Sequence, residues 1–261
     1  MARTQEDLTV AASDQANDPI HQFVVSPLFS GEMGAASFTN ASLFMVIVSL
    51  AVTFLMVVGT SSKDIVPGRL QAAAEMCYEF VASTVRGAMG QEGMRFFPFV
   101  FSLFMFVIFS NIIGLIPYTF TVTSQIVVTF AFAAIVIGIV IVYGVMRHGS
   151  HFLGLFVPSG VPAALLPFIV LIEIISFVSR PVSLSVRLFA NMLAGHITLK
   201  VFGAFVAMML GGGAFAALLS PLPLLAIVLL TAFELLVAVL QAYVFAILTC
   251  VYLNDAIHPG H

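Results

Sequence analysis

The sequence has 261 residues, 61% of them hydrophobic and only 8% charged, and its mean hydropathy is +1.15. So few charges exclude a water-soluble globular domain and imply an all-α polytopic membrane protein. A transmembrane β-barrel is excluded too, because the apolar runs are continuous and ~20 residues long rather than alternating. The net charge of −3 carries no nucleic-acid signature.

Residues 1–40 are polar and acidic, with Glu6, Asp7, Asp14, Asp18 and Glu32 against one basic residue, Arg3. They are expected to form an external tail ahead of a single transmembrane domain over 41–261. No positively charged stretch leads into a short apolar one, so no cleavable signal is expected. The first span is expected at 41–60.

The stretch 67–90 has a different pattern. Leu70, Ala73, Ala74, Cys77, Phe80, Val81 and Val85 follow helical spacing, while Gln71, Glu75, Glu79 and Arg86 take the other side. This predicts an amphipathic surface helix, with an ordinary cytoplasmic hairpin as the alternative. Further spans are predicted at 96–117 and 126–146. A short polar loop containing Arg147, His148 and His151 follows; it reads as solvated rather than metal-binding. Cys77 and Cys250 show no partner pattern, so neither a disulfide nor a metal framework is expected.

Two segments, 162–208 and 219–253, are too long for simple spans. As straight helices they would measure ~70 Å and ~50 Å, against a hydrocarbon core of ~30 Å. They are predicted to be steeply tilted, forming a nearly in-plane hairpin whose tip contains Gly211-Gly212-Gly213. The total is about five membrane-crossing helices plus the surface helix.

Orientation follows from the basic residues. An external N-terminus leaves Arg3 alone outside and puts Lys63, Arg69, Arg86, Arg95 and Arg147 inside. That satisfies the positive-inside rule and leaves the C-terminus cytoplasmic.

The remaining three basic residues, Arg180, Arg187 and Lys200, lie within the apolar run 162–208, with Glu173 and His196. A charge near the bilayer centre costs at least ~2.5–3.5 kcal/mol on insertion scales, so such residues face protein or water and mark function. Glu173, Arg180 and Arg187 are seven apart, and each seven-residue step turns a helix by only about −20°, so they share a face. Asn191 lies about 40° from that face, whereas His196 is about 180° from Arg187. The last helix carries Glu234, Gln241 and Tyr252 on one face. Carboxylates and an imidazole can relay protons when partly buried, whereas Arg187 can act only as a fixed charge. A purely structural reading, polar pairs joining two helices, suits Arg180 best, its stem reaching to the inner interface. Lys200 is expected to do the same at the outer end.

At these residues the sequence resembles subunit a of F-type ATP synthases. The resemblance is carried by PVSLSVRLFANMLAGH at 181–196 and FELLVAVLQAYVFAILTCVYL at 233–253, and extends to 111–117 and 18–23. It implies a non-catalytic, proton-conducting stator subunit without cofactor or metal, in a bacterial inner membrane rather than a mitochondrial one. Its implied partners are the c-subunit ring, b-type peripheral stalk subunits and the rest of the complex, within the lipid bilayer. Arg187 matches the family's essential arginine, and Asn191 and Gln241 match its polar neighbours. Glu173 matches the carboxylate of the inner half-channel, and His196 with Glu234 matches the outer one. Many bacterial members carry this last pair exchanged; the order here is that of mitochondrial members.

The alternative reading is a stand-alone proton-coupled transporter. It would require an internal repeat with matching broken helices, and none is evident. A haem-bearing subunit would need paired axial ligands, and His196 is the only histidine in a span. Strings for metalloprotease, serine hydrolase or nucleotide-binding sites do not occur.

Overall fold

The computed structural model describes residues 23–28, 38–61, 67–116, 119–149, 154, 157 and 165–258. The acidic residues of the tail, Arg3, Lys63, His151 and Pro162 lie outside the described residues.

Seven α-helices are described: α1 (Asn40–Ser61), α2 (Arg69–Met89), α3 (Phe97–Gly114), α4 (Ile126–His148), α5 (Leu166–Gly211), α6 (Ala214–Leu219) and α7 (Pro221–Ile257). Five helical segments are long and apolar enough to cross a membrane. The protein is a multi-pass membrane protein.

Local chemistry sets the boundaries. Asn40 opens α1: its Oδ1 accepts from the Ala41 N–H at 2.9 Å and from the Ser26 N–H at 3.2 Å. Within α1, the hydroxyls of Ser49, Thr53 and Thr60 donate to carbonyls four residues earlier, which satisfies them in an apolar setting. Gly90 at φ 65° and Gly149 at φ 55° stop α2 and α4, in a left-handed region that disfavours other residues. Pro98 and Pro167 sit in first turns, where a missing N–H costs nothing.

Helix α5 has 46 residues and α7 has 37, or about 69 Å and 55 Å at 1.5 Å per residue. The long C-terminal helices are bent at residue 220, with Gly213 at φ 94° just before α6. Pro181 lies inside α5 without ending it, so the Phe177 carbonyl loses its usual N–H partner.

The core sits where α2, α3 and α4 meet the C-terminal half of α7. Val85, Val100, Met105, Val107, Val136 and Phe245 are fully buried. On α7, Ala238, Ala242 and Ala246 recur every fourth residue and are buried. Such a stripe of small side chains lets neighbouring backbones approach closely.

Helix α2 is amphipathic, and the face it buries inside the protein overlaps only part of its apolar side. Gln71 is buried, donating from Nε2 to Glu75 Oε1 at 2.8 Å, whereas Leu70 and Phe80 are exposed. The cause is tertiary: α2 packs against α1, α3 and α7, which buries Gln71, Ala74, Val81, Ala82, Val85 and Met89.

Candidate functional site

The chain reverses between α3 and α4, and the described residues 119–125 of this connection lie at one end of the bundle. The start of α3 and the finish of α4 lie at the other. Each end holds one cluster of the polar residues singled out by sequence.

At the α4-finish end, Arg180 of α5 meets Asp255 of α7. Arg180 Nη1 donates to Asp255 Oδ2 at 2.6 Å, a short charge-assisted bond. Glu173 Oε1 lies 4.0 Å from Arg180 Nη2, one helical repeat earlier on the same face. The guanidinium also sits 5.1 Å above the Tyr252 ring and 5.7 Å from that of Phe177. Two residues beyond Asp255, the Ile257 carbonyl lies 3.2 Å from His148 Nε2, tying α7 to the end of α4.

At the loop end, His196 Nε2 of α5 lies 3.8 Å from Glu234 Oε1 of α7 and 3.0 Å from Thr121 Oγ1. The Phe23 ring meets the imidazole edge-on at 6.1 Å. Glu234 is only 4% exposed, and neither carboxylate oxygen has a hydrogen-bond partner among the described residues. Burying such a group unsatisfied is costly, so it must be served by water or by a changing set of partners. A cavity of about 460 Å³ adjoins it, lined by Asn191, Gly195, Thr198, Glu234 and Gln241 among others. Its wall is mostly apolar but carries four polar side chains, and it has room for water beside them. Gly195 lets the Glu234 carboxylate lie close against α5, because a Cβ at that position would force the carboxylate to shift.

A buried strut supports this end. Asn111 of α3 donates from Nδ2 to the Ala238 carbonyl at 3.1 Å, and Thr123 Oγ1 donates to Asn111 Oδ1 at 2.8 Å. Asn111 thereby fixes the 121–124 turn, and with it Thr121, against α7.

Arg187 lies between the two clusters, seven residues beyond Arg180 and nine before His196 along α5. It is exposed, and it makes no ion pair or hydrogen bond among the described residues. Its neighbours on the same face, Ser183, Ala190 and Ala194, are exposed as well, and all are small.

The geometry therefore brings Glu173 to Arg180, His196 to Glu234, and Asn191 and Gln241 into one cavity with Glu234. Arg187 stands apart. Two residues with contacts in these clusters escape sequence reasoning. Asp255 lies fourteen beyond Gln241, in the heptad register of Glu234 and Gln241, and could have been found by extending that series. Thr121 sits in a loop 75 residues from its partner, and no local pattern signals it.

The ATP synthase A chain family profile matches residues 42–254. The chain belongs to this family. It is 62% identical over 246 residues to the ATP synthase subunit a of Beijerinckia indica, covering 94% of this chain and 97% of the relative. It is 63% identical over 248 residues to that of Chelativorans, covering 94% and 100%. To the subunit a of Agrobacterium fabrum it is 61% identical, with the same coverage.

Proposed function

We propose that this chain is the proton-conducting stator subunit of an F-type ATP synthase, offering two offset half-channels to a ring of c subunits, with Arg187 between them. The observation that carries the reading is the placement of Arg187. It is a permanent cation, exposed and without an ion pair or hydrogen bond among the described residues, midway between ionisable clusters at opposite ends of the bundle. Facing lipid, such a charge would be strongly unfavourable. The small residues around it fit the close approach of another helix, and a cation there attracts an acidic one.

The outer route runs through the cavity at Glu234, His196 and Gln241, and the inner one starts at Glu173. A proton entering outside protonates a ring carboxylate, which can then rotate through lipid as a neutral group. On returning, the carboxyl meets the Arg187 charge, which favours its ionised form and releases the proton inward. Because an arginine cannot give up its proton, the two routes stay separated. The chain forms and breaks no covalent bond in ATP; its work is proton transfer, coupled to synthesis elsewhere in the complex. This assigns the loop end with Thr121 to the outside, the α4-finish end and the C-terminus to the cytoplasm, and the location to a bacterial inner membrane. The b-type stalk subunits are the remaining membrane partners.

The test is ATP-driven acidification and passive proton flux in inverted membrane vesicles. Arg187→Lys is expected to abolish pumping in an assembled complex, since a buried lysine can deprotonate and lacks the planar fork. Arg187→Ala is expected to abolish pumping and to allow a passive leak. Near-normal pumping in Arg187→Ala would remove this residue from the mechanism. A stand-alone transporter would keep its proton flux when the rest of the complex is absent.

A further inference from the structure

At the α4-finish end, on the side formed by α4 and the residues leading into α3, two arginines converge on one phenol. Arg147 Nη1 donates to Tyr143 Oη at 2.7 Å, and Arg95 Nη1 donates to the same oxygen at 3.3 Å. The Tyr143 hydroxyl proton has no acceptor among the described residues, so it remains available to donate. Glu92 offers partial compensation, its Oε2 lying 3.4 Å from Arg147 Nη2, but that carboxylate is half exposed and can swing away. Three donors with a net positive charge thus gather at the level where helices leave the membrane.

Directly beside them an apolar groove of about 330 Å³ follows the last turns of α4, bordered by Phe96, Ile135, Gly138, Ile139, Val142 and Met146, with Tyr143 shared between groove and cluster. Phe96 packs edge-on against Tyr143 at 4.8 Å, which fixes the ring forming the groove's upper end. Gly138 deepens the middle, since nothing lies within 4 Å of where its Cβ would be. Met146 and Val142 stay 82% and 57% exposed, leaving the groove open along its side.

We propose that Arg95, Arg147 and Tyr143 bind the phosphate of an anionic phospholipid on the cytoplasmic side, with one acyl chain lying in the groove past Gly138. Charge complementarity selects this occupant: guanidiniums match a phosphate's oxygens in a forked geometry, and basic pockets between membrane helices on this side suit anionic headgroups. A zwitterionic lipid supplies the same chain but carries its own compensating cation. A free phosphate matches the donors but leaves the groove unused. The bound lipid would hold the ends of α3 and α4 together, bridging Arg95 to Arg147.

The test uses the assembled complex in mild detergent, incubated with photoactivatable phosphatidylglycerol or phosphatidylcholine bearing the reactive group in the acyl chain. Labelled peptides are then mapped. Labelling by the phosphatidylglycerol probe is expected within 135–146, and to fall about fivefold for each arginine replaced in Arg95→Gln and Arg147→Gln. The charge-preserving Arg95→Lys/Arg147→Lys pair should keep most of it. Gly138→Phe, which fills the groove but leaves the donors intact, should abolish labelling there. Equal labelling by both lipids, or labelling unchanged in the arginine variants, would overturn the proposal. So would competition by inorganic phosphate that Gly138→Phe leaves unaltered, since that marks an anion site without a chain.

Discussion

At one end of α5 and α7 an ion pair is closed; at the other it is open. Arg180 and Asp255 meet at 2.6 Å, with two aromatic rings against the guanidinium. His196 and Glu234 stand 3.8 Å apart, beside a cavity, with both carboxylate oxygens short of hydrogen-bond partners. The first arrangement is what holds helices together: a charge-assisted bond whose partners have no reason to move. The second is poorly suited to that task, because a buried carboxylate without donors destabilises the fold it sits in. It is well suited to exchanging a proton with water. The same two helices thus carry one tightly closed pair and one open pair beside a cavity, and geometry tells them apart where residue types do not.

This contrast can be broken most directly at Glu234. Glu234→Gln removes the titratable group but keeps size and polarity, so ATP-driven pumping in vesicles should fall more than for any other substitution in this contrast, with part of it kept by water and His196, while the complex assembles in normal amount. Exchanging the partners, with Glu at 196 and His at 234, should restore part of the rate. Pumping unchanged in Glu234→Gln at every pH would place the outer route elsewhere. The closed pair should respond the opposite way. Asp255→Asn leaves Arg180 charged and deprived of its best partner, at a cost of about 1.5–3 kcal/mol for a charged hydrogen bond. That figure is to be discounted because both side chains are 20–28% exposed. Thermal stability and assembled yield should drop, and pumping per assembled complex should stay within about twofold. If pumping falls as far as in Glu234→Gln without loss of stability, Asp255 belongs to the inner route with Glu173. The smallest effect is expected at Thr121. Thr121→Val keeps the shape and removes the hydroxyl 3.0 Å from His196 Nε2. It should slow pumping a few-fold, about 0.5–1.5 kcal/mol for one neutral hydrogen bond, whereas Thr121→Ser should be near normal.

Much of this was legible in the sequence. Hydropathy alone dictates a helical membrane protein, because a chain this apolar has nowhere else to place its surface. The seven-residue spacing of Glu173, Arg180 and Arg187, and of Glu234 and Gln241, follows from helical periodicity, so shared faces could be read before any contact was known. The excess length of the last two helices was likewise a matter of counting residues.

What tertiary structure decided is which faces meet. Periodicity placed Gln71 on the polar side of α2 and Leu70 on the apolar one, and packing against α1, α3 and α7 buries Gln71 inside the protein while Leu70 stays exposed. It put Arg180 on Asp255 rather than on Glu173 alone, and left Arg187, on the same stripe, facing outward. It brought Thr121 to His196 across 75 residues, and it set Arg95, Arg147 and Tyr143 above one groove. These are long-range relations between helices. A local pattern fixes what a helix presents, but only the packing of all of them determines what it is presented to.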